Sequence, residues 1–494
     1  MSLLGRAGHA PAVHESGFAA HRAGVDRLLA SYHAIPAHAD VRLAKKTSNL
    51  FRARAETTAP GLDVSGLTQV IAVDPVARTA DVAGMTTYED LVATTLRYGL
   101  APLVVPQLKT ITLGGAVTGL GIESTSFRNG LPHESVLEMD VLTGAGELVT
   151  ATPDNEHADL FRGFPNSYGT LGYTVRLKIE LERVQPYVAL RHLRFHDLRE
   201  LEATLAAIVT DKTYAGERVD YLDGVVFSAE ESYLTLGRQT DEPGPISDYT
   251  GMDIFYQSIR HDGAAPGDGA AAAAYDRLTI HDYLWRWDTD WFWCSRAFGA
   301  QNPRIRRFWP KRYRRSSFYW KLVALDHKYH IGDKLEARKG NPPRERVVQD
   351  IEVPVEHTAD FVEWFLREIP IEPIWLCPLR LRETPNPADT RVAADTPAVR
   401  SWPLYPLEPN RTYVNVGFWS AVPTVTGEPE GATNRAIERV VTEFHGHKSL
   451  YSDSFYEPDE FAALYGGNTY TELKQRYDPD QRLLDLYSKA VQRR

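Results

Sequence analysis

The chain has 494 residues, 43% hydrophobic and 24% charged, with a formal net charge of -10. That balance is globular, with length for two or three domains, and excludes a disordered, collagen-like or small disulfide-stapled chain. The acidity argues against a protein that coats nucleic acid, where phosphate neutralisation dominates binding.

The opening Met1-Ser2-Leu3-Leu4-Gly5-Arg6 soon turns polar and lacks the apolar stretch of a signal peptide. No window approaches the twenty or so apolar residues of a membrane span. The two cysteines, Cys294 and Cys377, sit among apolar neighbours and read as buried free thiols of a reducing compartment. A cytoplasmic protein is expected.

Residues 19–34 have Val25, Leu28, Leu29 and Tyr32 at helical spacing. Short strands are expected at Val70–Val73 and Thr79–Val82, across the Asp74-Pro75 turn. Thr86-Thr87 ahead of Glu89-Asp90 reads as a capping box for a helix ending at Gly99. Leu103–Val105 reads as the next strand, closed by Pro106. Val136–Leu142 and Glu147–Thr150 read as a hairpin turning at Gly144-Ala145-Gly146. From Tyr173 to Leu181 apolar and polar residues alternate, the pattern of a strand with one buried face. Residues 262–274, rich in alanine and glycine, read as a loop, and the proline-rich 383–411 as irregular. Helical patterns return around Glu460–Leu464 and Leu483–Tyr487. Domains are expected at 1–185 and 186–440, with 441–494 packing back on the first.

The strongest chemical signal is the run Gly114-Gly115-Ala116-Val117-Thr118-Gly119-Leu120-Gly121. Glycine lets backbone amides approach a ligand, and consecutive amides form an anion-binding concavity suited to a pyrophosphate. The run is neither a Walker loop nor a dinucleotide fingerprint. A tight turn of packed glycines is the plainer reading.

Thr112-Leu113-Gly114-Gly115, followed by Gly119-Leu120-Gly121-Ile122-Glu123-Ser124-Thr125-Ser126-Phe127 and Gly130-Leu131, resembles the flavin core of FAD-linked oxidoreductases of the vanillyl-alcohol oxidase type. Asp159-Leu160-Phe161 and Gly169-Thr170-Leu171-Gly172 fit the same domain. The chain is most similar to the Delta(24)-sterol reductase group in Gly-Ile-Glu-Ser-x-Ser, Val347-Val348-Gln349-Asp350, Pro373-Ile374-Trp375-Leu376-Cys377-Pro378, Leu450-Tyr451-Ser452-Asp453 and Tyr470-Thr471-Glu472-Leu473-Lys474. The resemblance runs from about residue 40 to about 490.

The resemblance implies an α+β protein: a PCMH-type FAD-binding domain of two α/β subdomains plus an α+β cap over the flavin ring. It implies that Leu113, Gly114, Gly115, Thr118, Gly119 and Gly121 line the FAD pyrophosphate and ribityl chain. Glu123, Ser124 and Ser126 would sit near the same cofactor, and Gly169, Thr170, Gly172 and Val175 would approach its adenosine or ribityl side. Many family members carry a histidine in the first glycine-rich loop that bonds covalently to the flavin. The corresponding Leu43–Arg52 has no histidine and no glycine, so non-covalent FAD is expected, with Lys46, Thr47, Ser48 and Asn49 at the pyrophosphate. The implied reaction is reduction of a carbon–carbon double bond in a lipophilic, sterol- or isoprenoid-like substrate, with NADPH reloading the flavin. An oxidase or dehydrogenase of an alcohol or sugar-lipid on the same scaffold is the alternative; a membrane-surface or partner-binding protein with structural or lost flavin is a second.

Lys474 is a candidate cation for the charge that reduction leaves on the flavin, with Tyr470 beside it. A solvated helix lysine is the plainer reading. His281, Asp282, Asp288 and Asp290 lie among Tyr283, Trp285 and Trp287. An aromatic pocket with few polar groups suits an apolar substrate, and a tyrosine, aspartate such as Asp282, or histidine there could donate a proton. Arg296, Arg304, Arg306, Arg307, Lys311, Arg312, Arg314, Arg315 and Lys321 form a block without an acidic residue, interleaved with Trp309, Tyr313, Phe318, Tyr319 and Trp320. It reads as a peripheral contact with anionic lipid at the inner membrane face, as a phosphate site, or as a solvated face. His445-Gly446-His447 has no further ligand at metal spacing, and no metal is expected.

Overall fold

The computed structural model describes residues 10–45, 51–52, 61–249, 253–261, 273–288, 302–329, 331–338, 340, 342–382 and 402–493. The opening helix spans Ala10–Ala34, longer than its apolar stripe suggests, and buries Leu28 and Tyr32. Its end is tied down where the Tyr32 hydroxyl donates to the Gly144 carbonyl (2.8 Å).

Two antiparallel sheets carry the architecture, as expected for an α+β chain. The smaller runs Val70–Asp74, Thr79–Ala83, Gly172–Arg183, Val136–Thr143, Leu148–Ala151, with Leu100–Pro102 pairing the far end of Gly172–Arg183. Val175, Leu177, Ile179 and Leu181 are buried and the polar residues between them half-exposed, as the alternation predicts, but at its start Thr174 is buried and Tyr173 only half-buried, where the pairing with Val136–Thr143 shifts register. Thr87 caps the helix Tyr88–Thr95 by accepting from the Asp90 amide (3.2 Å), and Gly99 ends the following turn in the left-handed conformation.

The larger sheet has eight strands in the order Ala273–Thr279, Tyr187–Phe195, Glu231–Thr240, Tyr221–Ser228, Ile374–Arg380, Thr412–Pro423, Arg344–Pro354, His447–Lys448. Its faces have different neighbours. Leu193, Leu222, Val226, Ile374, Leu376 and Val416 join the core beneath helices Leu198–Asp211, Thr358–Glu368 and Ala432–Glu443. Val188, Leu190, Tyr221, Val225, Trp375 and Cys377 join the core that includes the smaller sheet. Covered on both faces, these strands read as apolar runs. The geometry fixes which side chains meet the half that holds the smaller sheet: the odd-numbered ones of Tyr221–Ser228 and Ile374–Arg380. Cys377 is a buried free thiol, as expected; Cys294 lies outside the described residues.

Several local expectations are corrected. Leu103–Val105 is not a strand; the strand is Leu100–Pro102, and residues 103–108 are buried without regular structure. Pro102 and Pro106 lack the amide donors that a ladder would need there. Ala273 and Ala274 belong to a strand paired with Leu193 and His192; the preceding 262–272 lie outside the described residues. Residues 402–411 are irregular as expected, and 383–401 lie outside the described residues. The helix expected from Leu483 begins at Leu486, because Asp485 caps it by accepting from the Ser488 amide (2.8 Å).

His133 is buried, edge-on to Trp402 with ring centroids 4.5 Å apart, and neither ring nitrogen has a partner among the described residues. Burial holds its imidazole down at about 3. The ring is therefore neutral in the folded protein and takes a proton on unfolding at any pH below about 6.5. Stability should fall as pH drops from about 6.5 towards 3, by roughly 4 kcal/mol for His133 alone if the whole shift is expressed. His192, held at about 4 by burial, acts in the same direction. His133→Phe should flatten the acid limb of a melting-temperature profile; an unchanged slope would refute the assignment.

Candidate functional site

The glycine run begins in a short helix, Leu113–Thr118, rather than an open loop. Thr112 caps it: its hydroxyl accepts from the Gly115 amide (3.2 Å) and from the Lys45 ammonium (3.0 Å). The glycines divide in role. Gly114 is buried against the smaller sheet, where a Cβ would collide with the Gly84 carbonyl and the Thr174 hydroxyl. Gly121 packs between the Pro106 and Pro132 rings. Gly115 is exposed, and a Cβ there would meet only the Thr112 hydroxyl and the Lys45 ammonium. Leu113 is core, and Thr118 returns its hydroxyl to the Gly114 carbonyl (2.6 Å). Packing thus accounts for several of the glycines, and the open face with a cation is at Gly115.

Two loops follow this helix into the junction of the sheets. In 119–126, the Glu123 amide donates to the Ser126 hydroxyl (3.1 Å), and the Ser126 amide to the Glu123 carbonyl (2.7 Å). In 166–172, Asn166, Tyr168 and Gly169 have positive φ of 62°, 50° and 75°. Such backbone is costly for non-glycine residues and persists only where the surroundings impose it. Tyr168 lies over the end of the glycine helix, its amide donating to the Thr118 carbonyl (2.8 Å). Buried polar atoms without a partner among the described residues gather here: Ser167 Oγ, Glu123 Oε2 and both ends of the Gln107 amide. Buried polar groups are nearly always satisfied, so a cluster of exceptions points to an absent partner. An exposed glycine, a capped helix start and a neighbouring lysine suit a pyrophosphate; the orphaned polar atoms suit the rest of a dinucleotide.

Beneath the 119–126 loop lies a buried charge cluster. The Arg286 guanidinium donates to Glu123 Oε1 (2.9 Å) and to Asp223 Oδ2 (2.7 Å), with all three side chains almost wholly buried. Asp223 stands on Tyr221–Ser228, facing the cofactor-binding half, and also accepts from the Trp287 and Trp375 indoles (both 3.4 Å). Arg286 lies 4.1 Å from the Tyr283 ring, whose hydroxyl shares a hydrogen bond with Ser124 Oγ (3.0 Å). One cation thus faces two carboxylates. Burial pushes the Glu123 carboxyl up, against the downward pull of Arg286. A proton on Glu123 would balance the cluster's charge. The Leu222 amide also donates to the Ser124 carbonyl (2.8 Å), so the loop is bolted to the larger sheet by backbone as well.

Gly169, Thr170, Gly172 and Val175 are buried where the second loop meets its strand, as is Gly119 under Tyr168. Lys474, on helix Gly467–Tyr477, donates to the carbonyls of Thr170 (2.9 Å) and Leu483 (2.7 Å) and to Asp478 Oδ2 (2.6 Å). Its ammonium faces the 166–172 loop but is engaged by these oxygens. The Tyr470 hydroxyl accepts from the Leu486 amide (2.8 Å). Asp282 faces outward, accepting from the Thr279 hydroxyl (2.7 Å) and paired with His281 (3.2 Å), a hydrogen bond that lowers its pKa. Tyr283, one residue on, points inward, so the short helix separates them. Asp288 is buried and accepts from the Lys109 amide (3.0 Å) and the Ser316 hydroxyl (2.5 Å). Lys46, Thr47, Ser48, Asn49 and Asp290 lie outside the described residues. Among the described residues no group of three or more His, Cys, Asp or Glu is placed to hold a metal. Sequence reasoning missed Lys45, Gln107, Asp223 and Arg286. Their types are ordinary, and only their convergence marks them.

Residues 33–152 match a family model described as FAD binding domain. The chain is 26% identical over 440 residues to the Delta(24)-sterol reductase of Homo sapiens, covering 87% of this chain and 75% of that one. It is 25% identical over 457 residues to the Delta(24)-sterol reductase of Arabidopsis thaliana, covering 87% and 76%. It is also 30% identical over 203 residues to cytokinin dehydrogenase 10 of Oryza sativa subsp. japonica, covering 40% and 36%.

Proposed function

We propose that this chain, an FAD-dependent oxidoreductase of the PCMH-type FAD-binding fold similar to Delta(24)-sterol reductases, reduces a carbon–carbon double bond in a lipophilic, sterol- or isoprenoid-like substrate with electrons from NADPH. The observation that carries the reading is the buried cluster of Glu123, Arg286 and Asp223 beside Tyr283, walled by Trp287, Trp375 and Tyr221. Trp287 and Trp375 donate to Asp223, so the aromatic side chains here hold the cluster in place, and the lipophilic substrate class rests on the similarity to Delta(24)-sterol reductases. When bound, FAD supplies hydride exchange at its ring.

In this reading Lys45 and the Gly115 face hold the pyrophosphate, helped by Lys46, Thr47, Ser48 and Asn49. Gln107, Glu123 and Ser167 offer polar atoms to the remainder of the cofactor. Arg286 holds Glu123 and Ser124 against the larger sheet, and Ser124 fixes the Tyr283 hydroxyl. Lys474 and Tyr470 act as positioning residues: Lys474 holds the Thr170 carbonyl, hence the 166–172 loop. Thr279 caps the helix that carries Asp282, accepting from the Asp282 amide (3.1 Å) and donating to its carboxylate (2.7 Å). Cofactor attachment is non-covalent, domain boundaries fall near 185 and 440, and the protein is cytoplasmic.

Purified protein should be yellow, and acid should release intact FAD into the supernatant. In anaerobic stopped-flow, NADPH should bleach the flavin rapidly, and a sterol or isoprenoid alkene should restore its colour. Alternating reactants at one flavin face predict parallel initial-rate lines. The cytokinin dehydrogenase similarity favours a second reading, oxidation of a small substrate on the same scaffold. Bleaching by an alcohol or amine but not by NADPH would replace the first reading with the second.

A further inference from the structure

Arg296 lies outside the described residues, and from Arg304 onward the basic block divides into buried, ion-paired and exposed members. Arg306 and Arg314 are buried and structural: Arg306 donates to the Asp253 carbonyl (3.0 Å), and Arg314 to the carbonyls of Arg306 (2.6 Å) and Trp309 (3.0 Å). Arg315 pairs with Glu89 (3.2 Å). By contrast Arg304, Arg307, Lys311 and Arg312 are exposed, and none has an ion-pair partner among the described residues. They flank in sequence two apolar side chains that face solvent. On the helix Pro303–Phe308, Ile305 is 45% exposed and Phe308 is 83% exposed. Three residues apart, they share one face of the helix. A single exposed apolar residue is ordinary; an exposed pair neighboured in sequence by four exposed cations that have no ion-pair partner among the described residues, in a chain of net charge -10, is not.

We propose that the Pro303–Phe308 helix and the following Lys311–Tyr313 turn are a docking surface for an anionic lipid bilayer, with Phe308 and Ile305 entering the headgroup–acyl boundary and Arg304, Arg307, Lys311 and Arg312 meeting lipid phosphates. Charge complementarity selects the partner: the cations attract an anionic interface, and the ring between them favours one that also has an apolar layer. No described helix is long and apolar enough to cross a membrane, so this contact would be peripheral. The inward face of the same segment reaches the cofactor site. Tyr319 packs on Leu108, and Ser316 and the Lys109 amide share Asp288, just ahead of the Thr112 cap. Docking would bring the cofactor-binding half to the phase in which a lipophilic substrate is dissolved. That purpose rests on the proposed substrate class, but binding to lipid can be measured without turnover, so either idea can fail alone.

The test is co-sedimentation of the flavin-loaded protein with phosphatidylcholine vesicles, with and without about one-third phosphatidylglycerol. Binding is expected to the anionic vesicles and to weaken as salt rises. The triple variant Arg304→Gln/Arg307→Gln/Lys311→Gln should lower the partition coefficient on the order of a hundredfold, about fivefold per charge. Phe308→Ser should lower it about tenfold. Flavin absorbance should be unchanged in both, since none of these residues touches the cofactor site. Equal binding to neutral and anionic vesicles, no binding to either, or wild-type binding by the triple variant would each overturn the proposal. So would salt-sensitive self-association without lipid that the triple variant loses, which would assign the face to a second copy of the chain.

Discussion

Arg286→Met is expected to strip the protein of flavin and to lower its stability by about 3–5 kcal/mol, the range for breaking a buried ion pair from one side. The reason lies in what remains. Glu123 and Asp223 are both nearly inaccessible to water, and Arg286 is the cation between them. Without it two buried carboxylates face each other, and the cheapest relief is to take up protons or to pull the 119–126 loop off the larger sheet. Moving that loop displaces Ser124 and the Glu123 carboxyl. Thermal melts and visible absorbance should therefore drop together, and the loss should be less severe at low pH, where the Glu123 carboxyl, which burial already pushes up, is neutral. Adding Glu123→Gln and Asp223→Asn to Arg286→Met should recover most of the stability, because an uncharged trio carries no such penalty. If the single variant melts like wild type and stays yellow, the cluster does not hold the site.

The second large effect separates two adjacent glycines. Gly115→Ala should leave the fold nearly unchanged. The new methyl disturbs the Thr112 cap, a loss of about 1 kcal/mol, while alanine in place of helical glycine returns about 0.5–1 kcal/mol. Yet the methyl stands on the open face beside Lys45, where the proposed function places the approach of the pyrophosphate. FAD affinity should fall ten- to a hundredfold, roughly 1.4–2.8 kcal/mol, in a titration of apoprotein followed by fluorescence. Gly114→Ala should behave in the opposite order. Its methyl meets the Gly84 carbonyl, part of the backbone that supports the helix, so the subdomain should destabilise first and flavin loss should follow unfolding. Identical behaviour of the two variants would show that the exposed face of this helix is not where the cofactor lies.

Much of the local structure is legible from residue order alone. The alternation from Val175 to Leu181 forces one face of a strand inward, and Thr87 with Asp90 starts a helix that Gly99 stops. Errors fall where local pattern and long-range pairing disagree. Leu103–Val105 is apolar enough for a strand, but the adjacent prolines leave it without a ladder, and it fills the core as irregular chain. Ala273 and Ala274 have no strand-like side chains, yet the edge of Tyr187–Phe195 recruits them.

The FAD domain was legible with no coordinates only through the resemblance of residues 112–131 to a known family; the glycines by themselves fit a packed turn as well, and packing does account for Gly114 and Gly121. The charge cluster was invisible by the same means. Glu123 and Arg286 are 163 residues apart, Asp223 and Arg286 are 63 apart, and nothing in their types sets them off from the chain's other acids and arginines. Tyr283 and Asp282 were equal candidates until the short helix pointed one inward and the other to solvent. Likewise the arginines of the basic block became distinguishable only when packing buried Arg306 and Arg314 and left Arg304 and Arg307 outside. Backbone preferences act between neighbours and are written in their order; electrostatics and burial depend on distance through space, which only the folded chain defines.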